Sequence, residues 1–517
     1  MPVRLADVNP GVADGIISTH VAMANGLYFF VGKSFLEGQE LWVSDGTVSG
    51  THMVKDINPG QGSGFVKTLM AFKDKVWFVA DDGVTGPELW YSDGTASGTS
   101  VIDVVPGAAG AEPNHITQGA DYLFFKGLDA NYTPVLYRTD GTPAGTQIVV
   151  AQVGNTPVDF VSGLAAIGNT VYISFDGPTS AQLWKSDGTQ AGTVLVKDMN
   201  PGQFGLISNM TPVGNKLYFG GSKSLFPEYQ PWVSDGTSAG TFLLKNIYPN
   251  EDAAPKWFTE FKGKVYFYAE AANGSRGLYR TDGTSPGTQL FKEISISAFF
   301  GEEYNMASDG NYLYFSGLTV NEGRELWRTD GNAAGTVMVK DINPGSASSN
   351  PIQLSFVDGQ VYFSANFAGN GEELCKTDGT NAGTVQMTDF NPNNAFNATP
   401  WAIRKVGNVL VFSAEHPSFG RELFALQLTS DVAEGFNNPV LVYPNPTDNQ
   451  VVIELPDDLS EEQGLMQVFA SDGQLVYQQV CAEPVVTLSV QGWAQGLYLL
   501  EYSNARQRIV SKLLVAP

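Results

Sequence analysis

Apolar triplets punctuate the chain at a steady interval: Leu27-Tyr-Phe, Val76-Trp-Phe, Leu123-Phe-Phe, Val171-Tyr-Ile, Leu217-Tyr-Phe, Val265-Tyr-Phe, Leu313-Tyr-Phe, Val361-Tyr-Phe and Leu410-Val-Phe. Consecutive apolar positions, with no alternation, suit a strand covered on both faces. After the first triplet comes Glu40-Leu-Trp-Val, whose side chains alternate across a strand, and then Met53-Val-Lys-Asp-Ile57, which alternates again. The Gly-rich segment between these two reads as a hairpin loop. A weaker apolar run and a turn precede each triplet, as in Phe65 to Phe72 followed by Lys73-Asp74. Each period therefore holds four strands and no helical stretch.

The loop carries an Asp-Gly-Thr turn, with Gly-Thr two residues later. Its aspartates are Asp45, Asp93, Asp140, Asp187, Asp235, Asp282, Asp330 and Asp378, spaced 47 or 48 residues apart. Such a period means a propeller, a solenoid or an array. Four strands with a Gly-rich hairpin in each period favour the propeller over a parallel β-helix, whose coils are shorter. The aspartate side chain can accept bonds from N–H groups just ahead of it, so the repeated acid reads as a structural brace of the turn. The position two residues after the glutamate reads Trp42, Trp90, Tyr137, Trp184, Trp232, Tyr279, Trp327, Cys375 and Phe424, and burial between blades is expected there in preference to ligand contact.

The ends of the array complement one another. Val3-Arg-Leu-Ala-Asp-Val-Asn-Pro-Gly11 matches Val54-Lys-Asp-Ile-Asn-Pro-Gly60, a fourth strand, and Arg421-Glu-Leu-Phe424 is a third strand lacking its Asp-Gly-Thr turn. Pairing the two closes the ring and leaves no open edge. The fold expected for residues 1–428 is thus an all-β propeller of about nine four-stranded blades, beyond the usual four to eight.

Charge and composition then narrow the partners. The 517 residues carry a net charge of −24, with 57 Gly and 28 Pro. An acidic surface repels phosphate backbones and anionic lipid, so nucleic acid is not expected as a partner. No run of 18 apolar residues suggests a transmembrane segment, and no signal peptide is visible in residues 1 to 30. Cys375 and Cys481 fall in different expected domains, which argues against a disulfide, and Cys375 reads as a small buried hydrophobe. His20, His52, His115 and His416 occupy unrelated phases of the repeat, so neither a catalytic set nor a metal site is drawn from them. Acid pairs such as Asp81-Asp82 and Glu302-Glu303 could serve a glycosidase but read as solvated loop residues. No cofactor is expected, with Ca²⁺ kept open at the loops Asp56-Ile-Asn58 and Asp341-Ile-Asn343.

At this point the units resemble the bacterial repeat family named for its Glu-Leu-Trp-x-x-Asp-Gly-Thr (ELWxxDGT) motif, over residues 1 to 428. Copies at Leu136-Tyr137, Gln182, Gln230-Pro231, Gly277, Asn332 and Cys375 depart from the full motif. The resemblance implies a surface or secreted protein and specifies no chemistry.

The repeat stops after Leu428, and residues 429–439 form a polar linker. Residues 440–517 read as six or seven short strands of an immunoglobulin-like sandwich, with an Asp472-Gly473 hairpin turn. The order Tyr443-Pro444-Asn445-Pro446, Phe469-x-x-Asp-Gly-x-Leu475-Val476, Gly496-x-Tyr498 and Lys512-Leu-Leu-Val515 resembles the type A C-terminal sorting domain of the type IX secretion system of Bacteroidota. That resemblance implies recognition by the type IX translocon and delivery to the medium or the outer-membrane cell surface. Two functions remain. One is a non-enzymatic, monomeric binding or adhesion module for a glycan or a cell-surface protein; the other is a secreted polysaccharide-degrading hydrolase or lyase with its site in the propeller channel. Low histidine content and an even repeat favour the first.

Overall fold

The structure is a computed structural model and describes every residue except 1, 19, 61, 154–155, 178–179, 203–204, 223–227, 250, 272–275, 295–304, 369, 391–395, 429–440, 444–448, 455–463, 471–473, 482–484, 504–507 and 516–517. Two compact units divide the chain, Met1–Leu428 and Thr429–Pro517.

In the first unit each period becomes one antiparallel sheet. Blade 1 pairs Ala22–Ala24, Leu27–Ser34, Gly38–Ser44 and His52–Lys55 in chain order, and seven further sheets repeat that order as far as Val385–Gln386. The ninth sheet takes Trp401–Val406, Val409–His416 and Gly420–Gln427, with Val3–Arg4 as its fourth strand. Val3 lies opposite Ala425 and Arg4 opposite Phe424. The Leu5 N–H still reaches the Leu423 carbonyl at 2.8 Å. The ladder ends there, because the Val8 and Asn9 N–H groups turn onto the Glu422 carboxylate. Between blades 3 and 4 the connection holds the two-stranded ladder Gln152–Val153 with Thr156–Pro157 and the 3-10 turn Val158–Phe160.

Why the strands stack as a ring follows from the apolar triplets. Side chains of a strand alternate between its two faces, so Phe29 and Val31 of blade 1 pack with Phe78 and Trp90 of blade 2. Tyr28 and Phe30 point the other way, onto Ala402, Val406 and Val411 of blade 9. Nine such apolar clusters join each sheet to the next, and the last of them joins blade 9 back to blade 1. The ring is therefore closed by core packing as well as by one shared sheet. Tyr28 adds a hydrogen bond across that seam, its hydroxyl donating to the Ala402 carbonyl at 3.0 Å.

Among its described residues the second unit is a sandwich of seven strands. One sheet orders Leu441–Tyr443, Gln450–Glu454 and Val485–Ser489. The other orders Leu475–Cys481, Gly464–Ala470, Gly496–Ser503 and Arg508–Val515. Alternate residues Met466 and Val468 and Leu500 and Tyr502 meet Val451, Ile453 and Leu488 in its core.

Candidate functional site

Antiparallel order sorts the loops of every blade onto two faces of the ring. The turns joining first to second and third to fourth strands lie on one face. The loops joining second to third strands, and the connections between blades, lie on the other.

The first face carries the Asp-Gly-Thr turns, and their chemistry is turned inward. Asp45 Oδ1 accepts the Thr47 N–H at 2.9 Å and the Thr47 hydroxyl at 2.7 Å. The same pair of bonds recurs at Asp93, Asp140, Asp187, Asp235, Asp282 and Asp378. At Asp330, where Asn332 replaces the threonine, the backbone bond remains. These donors, the threonine hydroxyl first, hold the carboxyls below their usual range. Each turn glycine then abuts the preceding blade. Gly236 has φ +84, and a Cβ there would lie 2.5 Å from Tyr172 Oη; at Gly46, φ +88, it would lie 2.6 Å from Val409 Cγ2. A side chain at either position meets both an unfavourable backbone region and a neighbouring blade. Lysines tie the same seams, as Lys73 Nζ reaches the Asp140 carbonyl at 2.8 Å.

The glutamate of the repeat has a role that sequence reasoning missed. Glu40, Glu88, Glu325, Glu373 and Glu422 are fully buried. Glu40 accepts the N–H groups of Ile57 at 3.0 Å and Gly64 at 2.7 Å, and so fastens the connection to the next blade. Glu88 takes Val105 and Ala111 in the same way, and Glu325 takes Ile342 and Ser349. Burial outweighs these donors and pushes Glu40, Glu88 and Glu422 up to about 7, and Glu373 to about 6. In blade 5 the residue is Gln230, whose Oε1 accepts the Ile247 N–H at 2.8 Å while Nε2 donates to the Tyr248 and Glu251 carbonyls. A neutral amide does the same work, so the negative charge is dispensable. The signal was present in the fixed distance of 17 residues from glutamate to Ile57 and Ile342.

The second face is different. Its loop tips expose Phe35 (81%) and Leu36 (66%) in blade 1, Val84 (72%) in blade 2, Tyr132 (65%) in blade 3 and Val320 (94%) in blade 7. Val12 and Phe65, on connections of the same face, are exposed too. Beside Phe35 a cavity of about 520 Å³ opens where the connection after Val3–Arg4 meets blade 1. Its walls include Trp42, Met53, Phe35 and Leu36, with Asp7 and Glu37 as the charged groups. Trp42, Trp184 and Trp327 are only half-buried, unlike Trp90, Trp232, Tyr137, Tyr279, Cys375 and Phe424 at the same phase.

Other candidate residues are dispersed. Asp81 and Asp82 accept N–H groups of Gly83, Val84 and Thr85 and brace their own loop. Glu302 and Glu303 lie outside the described residues. Among the described residues of the first strand of each blade, Glu260 is the single acid, and Asn209 and Gln353 bond to the backbone of the following blade. No group of three or more His, Cys, Asp or Glu is placed to hold a metal ion among the described residues. Both cysteines are buried, and burial raises each thiol. In the tail, Tyr443 pairs with Val452 and Lys512 with Leu499 on the backbone ladder. Tyr498 donates its hydroxyl to the Ala494 carbonyl at 2.8 Å and rests on Trp493, and Gly496 opens that strand at φ +152. Pro444, Asn445, Pro446, the linker 429–439 and the Asp472-Gly473 turn lie outside the described residues.

Solved structures of low similarity include a prolyl endopeptidase (14% identity, TM-score 0.38, covering 69% of this chain and 52% of that one). TolB from Acinetobacter baumannii follows at 14% identity, TM-score 0.30, over 51% and 62% of the two chains. The Pyrococcus horikoshii acylaminoacyl peptidase matches at 12% identity, TM-score 0.34, over 67% and 57%. The chain thus spans between about half and two thirds of their length, and the blade count rests on its own strand pairing. No curated protein matches it. No helix among the described residues is long and apolar enough to cross a membrane. Residues 441–516 match the family described as the secretion system C-terminal sorting domain, and this type IX sorting tail implies export to the medium or the cell surface.

Proposed function

We propose that this chain is a binding or adhesion module, displayed by type IX export, that engages a glycan or a protein of another surface through the second face of its ring and acts as a monomer without turning its ligand over. The observation that carries this reading is the set of exposed apolar tips Phe35, Leu36, Val84, Tyr132 and Val320, which share one face while the recurrent polar residues are spent on internal bonds. Variable loops set on a rigid scaffold are where binding residues are commonly carried. The acidic surface suits neutral or cationic ligands. Purified ring, residues 1–428, is to be screened against polysaccharides and whole cells, with and without a calcium chelator. Saturable binding without product, weakened by Tyr132→Ala or Val320→Ala, supports the module. Steady release of oligosaccharides would overturn it in favour of a hydrolase or lyase.

A further inference from the structure

Five blades place a lysine at one phase of the repeat, just ahead of the acidic or amide residue that leads into the connection: Lys55, Lys197, Lys245, Lys292 and Lys340. These lysines serve the next blade. Lys55, Lys197, Lys245 and Lys340 donate to the carbonyls of Thr99, Thr241, Thr288 and Thr384, at 3.4, 2.7, 3.1 and 2.9 Å. Three of them also lie over an aromatic ring, Lys55 at 5.4 Å from Trp90, Lys292 at 5.7 Å from Trp327 and Lys340 at 4.8 Å from Phe367. An ammonium group held over an indole face is attracted by the ring's quadrupole, the more so where water is thinned out. The stem of the lysine meanwhile covers apolar surface.

Blade 1 is fed by the strand Val3–Arg4, and there the corresponding residue is Ala6. Ala6 packs in the same apolar cluster as Trp42, and the 520 Å³ cavity opens beside that indole. At blades 3 and 9, which also lack the lysine, other side chains of the protein take up the space. At blade 9, where the phase is held by Thr388, the space is filled by Phe390 and Phe419 packed on Phe424. At blade 3 Tyr137 stacks on Phe125 at 5.0 Å and donates its hydroxyl to the Leu128 carbonyl. At blade 1 the cavity remains. Arg4 does not replace the lysine, because its guanidinium lies 4.3 Å from the Phe419 ring and pairs with Asp7 at 3.1 Å. Both charged residues of the lining, Asp7 and Glu37, are acids, and the remaining wall is largely apolar.

We infer that this seam cavity binds a protonated alkylamine, an ammonium group on an unbranched apolar stem, in the position that Lys55 and Lys340 fill for other blades. The stem lies along Met53, Phe35 and Leu36, and the ammonium sits over Trp42 between the two carboxylates. The source is either a free amine or the lysine of a peptide, since both present that chemistry. This inference rests on reading the second face as the binding face, and it names one ligand class there.

The test is a saturation-transfer NMR titration of the protein with 1-aminopentane against 1-pentanol, which share the five-carbon stem and carry a charged and a neutral head group. The amine is expected to bind at least about tenfold more tightly. Ala6→Lys should abolish amine binding and raise the melting temperature, because the tethered lysine fills the site. Trp42→Leu, which keeps apolar bulk and removes the indole, should weaken binding several-fold. Equal affinity for the alcohol, or unchanged amine binding in Ala6→Lys, would overturn the inference. Short peptides with lysine or norleucine at one position separate the two sources: a lysine peptide that outcompetes the free amine assigns a protein partner, and binding of the free amine alone assigns a small molecule. Tyr132→Ala and Val320→Ala lie outside the cavity lining, so loss of cell or glycan binding there with amine binding intact upholds both readings. Amine binding by a ring that binds no cell or glycan would sink only the adhesion reading.

Discussion

The two faces of the ring are made from the same repeat and differ in what they do with it. On the Asp-Gly-Thr face the recurrent polar groups close bonds within their own turns or reach a neighbouring blade, as at Asp45 and Lys73, and turn glycines such as Gly236 abut that blade. On the other face the loops change length and residue from blade to blade and leave Phe35, Tyr132 and Val320 in solvent. Turns that pack on the neighbouring blade keep their motif; loop tips without that constraint drift and can acquire ligand contacts.

The comparison is most sharply tested at a turn glycine. Gly236→Val forces a β-branched residue into the left-handed region against Tyr172, and a loss of about 3 kcal/mol or more in denaturant unfolding is expected. A loss below about 1 kcal/mol would mean that the turns do not hold the seams.

Next come the buried glutamates, through pH. Their folded values, about 7 at Glu40, Glu88 and Glu422, lie above the ordinary 4.5. Between those values the folded ring holds protons that the unfolded chain has released, so this contribution is full below about 4.5 and is lost as pH rises through about 7. The melting temperature should fall by several degrees from pH 5 to pH 8. Glu40→Gln, imitating Gln230, should change little at pH 5 and raise the melting temperature at pH 8. A flat profile, or a mutant equally destabilised at both values, would contradict the assignment.

Smaller effects separate brace from tip. Asp45→Ala removes two charge-assisted bonds on an exposed turn and should cost about 1 kcal/mol by chemical denaturation. Val320→Ser, 94% exposed, should alter stability by less than about 0.5 kcal/mol while reducing surface binding. Reversal of that order would make the second face the structural one.

Much of the ring was legible in the sequence because its rules are local and repeated. Apolar triplets marked the second strand of each blade, and the matching ends marked the closing pair Val3–Arg4 with Phe424–Ala425. The burial of Glu40 was not legible, since an acid in an alternating strand reads as solvent-facing until the N–H groups of Ile57 and Gly64 are seen around it. The half-buried state of Trp42 escaped for a similar reason: its cover belongs to the preceding blade, whose register at Ala6 the repeat alone does not describe. In the tail, six or seven strands followed from alternation, as with Met466 and Val468 turned to the core, while their order in the two sheets was not read from the sequence.

The closing blade also imposes a timetable. Val8 and Glu422, bonded in the last sheet, stand 414 residues apart in the chain. Every other sheet can assemble from a few dozen consecutive residues, but this one cannot form until nearly the whole array has been synthesised. Contacts of such sequence separation are slow to form. A chain stopped short of its ninth period would keep an unsealed seam with the Tyr28 side of blade 1 uncovered, a state open to proteases and to partner chains. The joint thus ties a sealed core to a full-length array, since only a chain that reaches its ninth period can cover the Tyr28 side of blade 1.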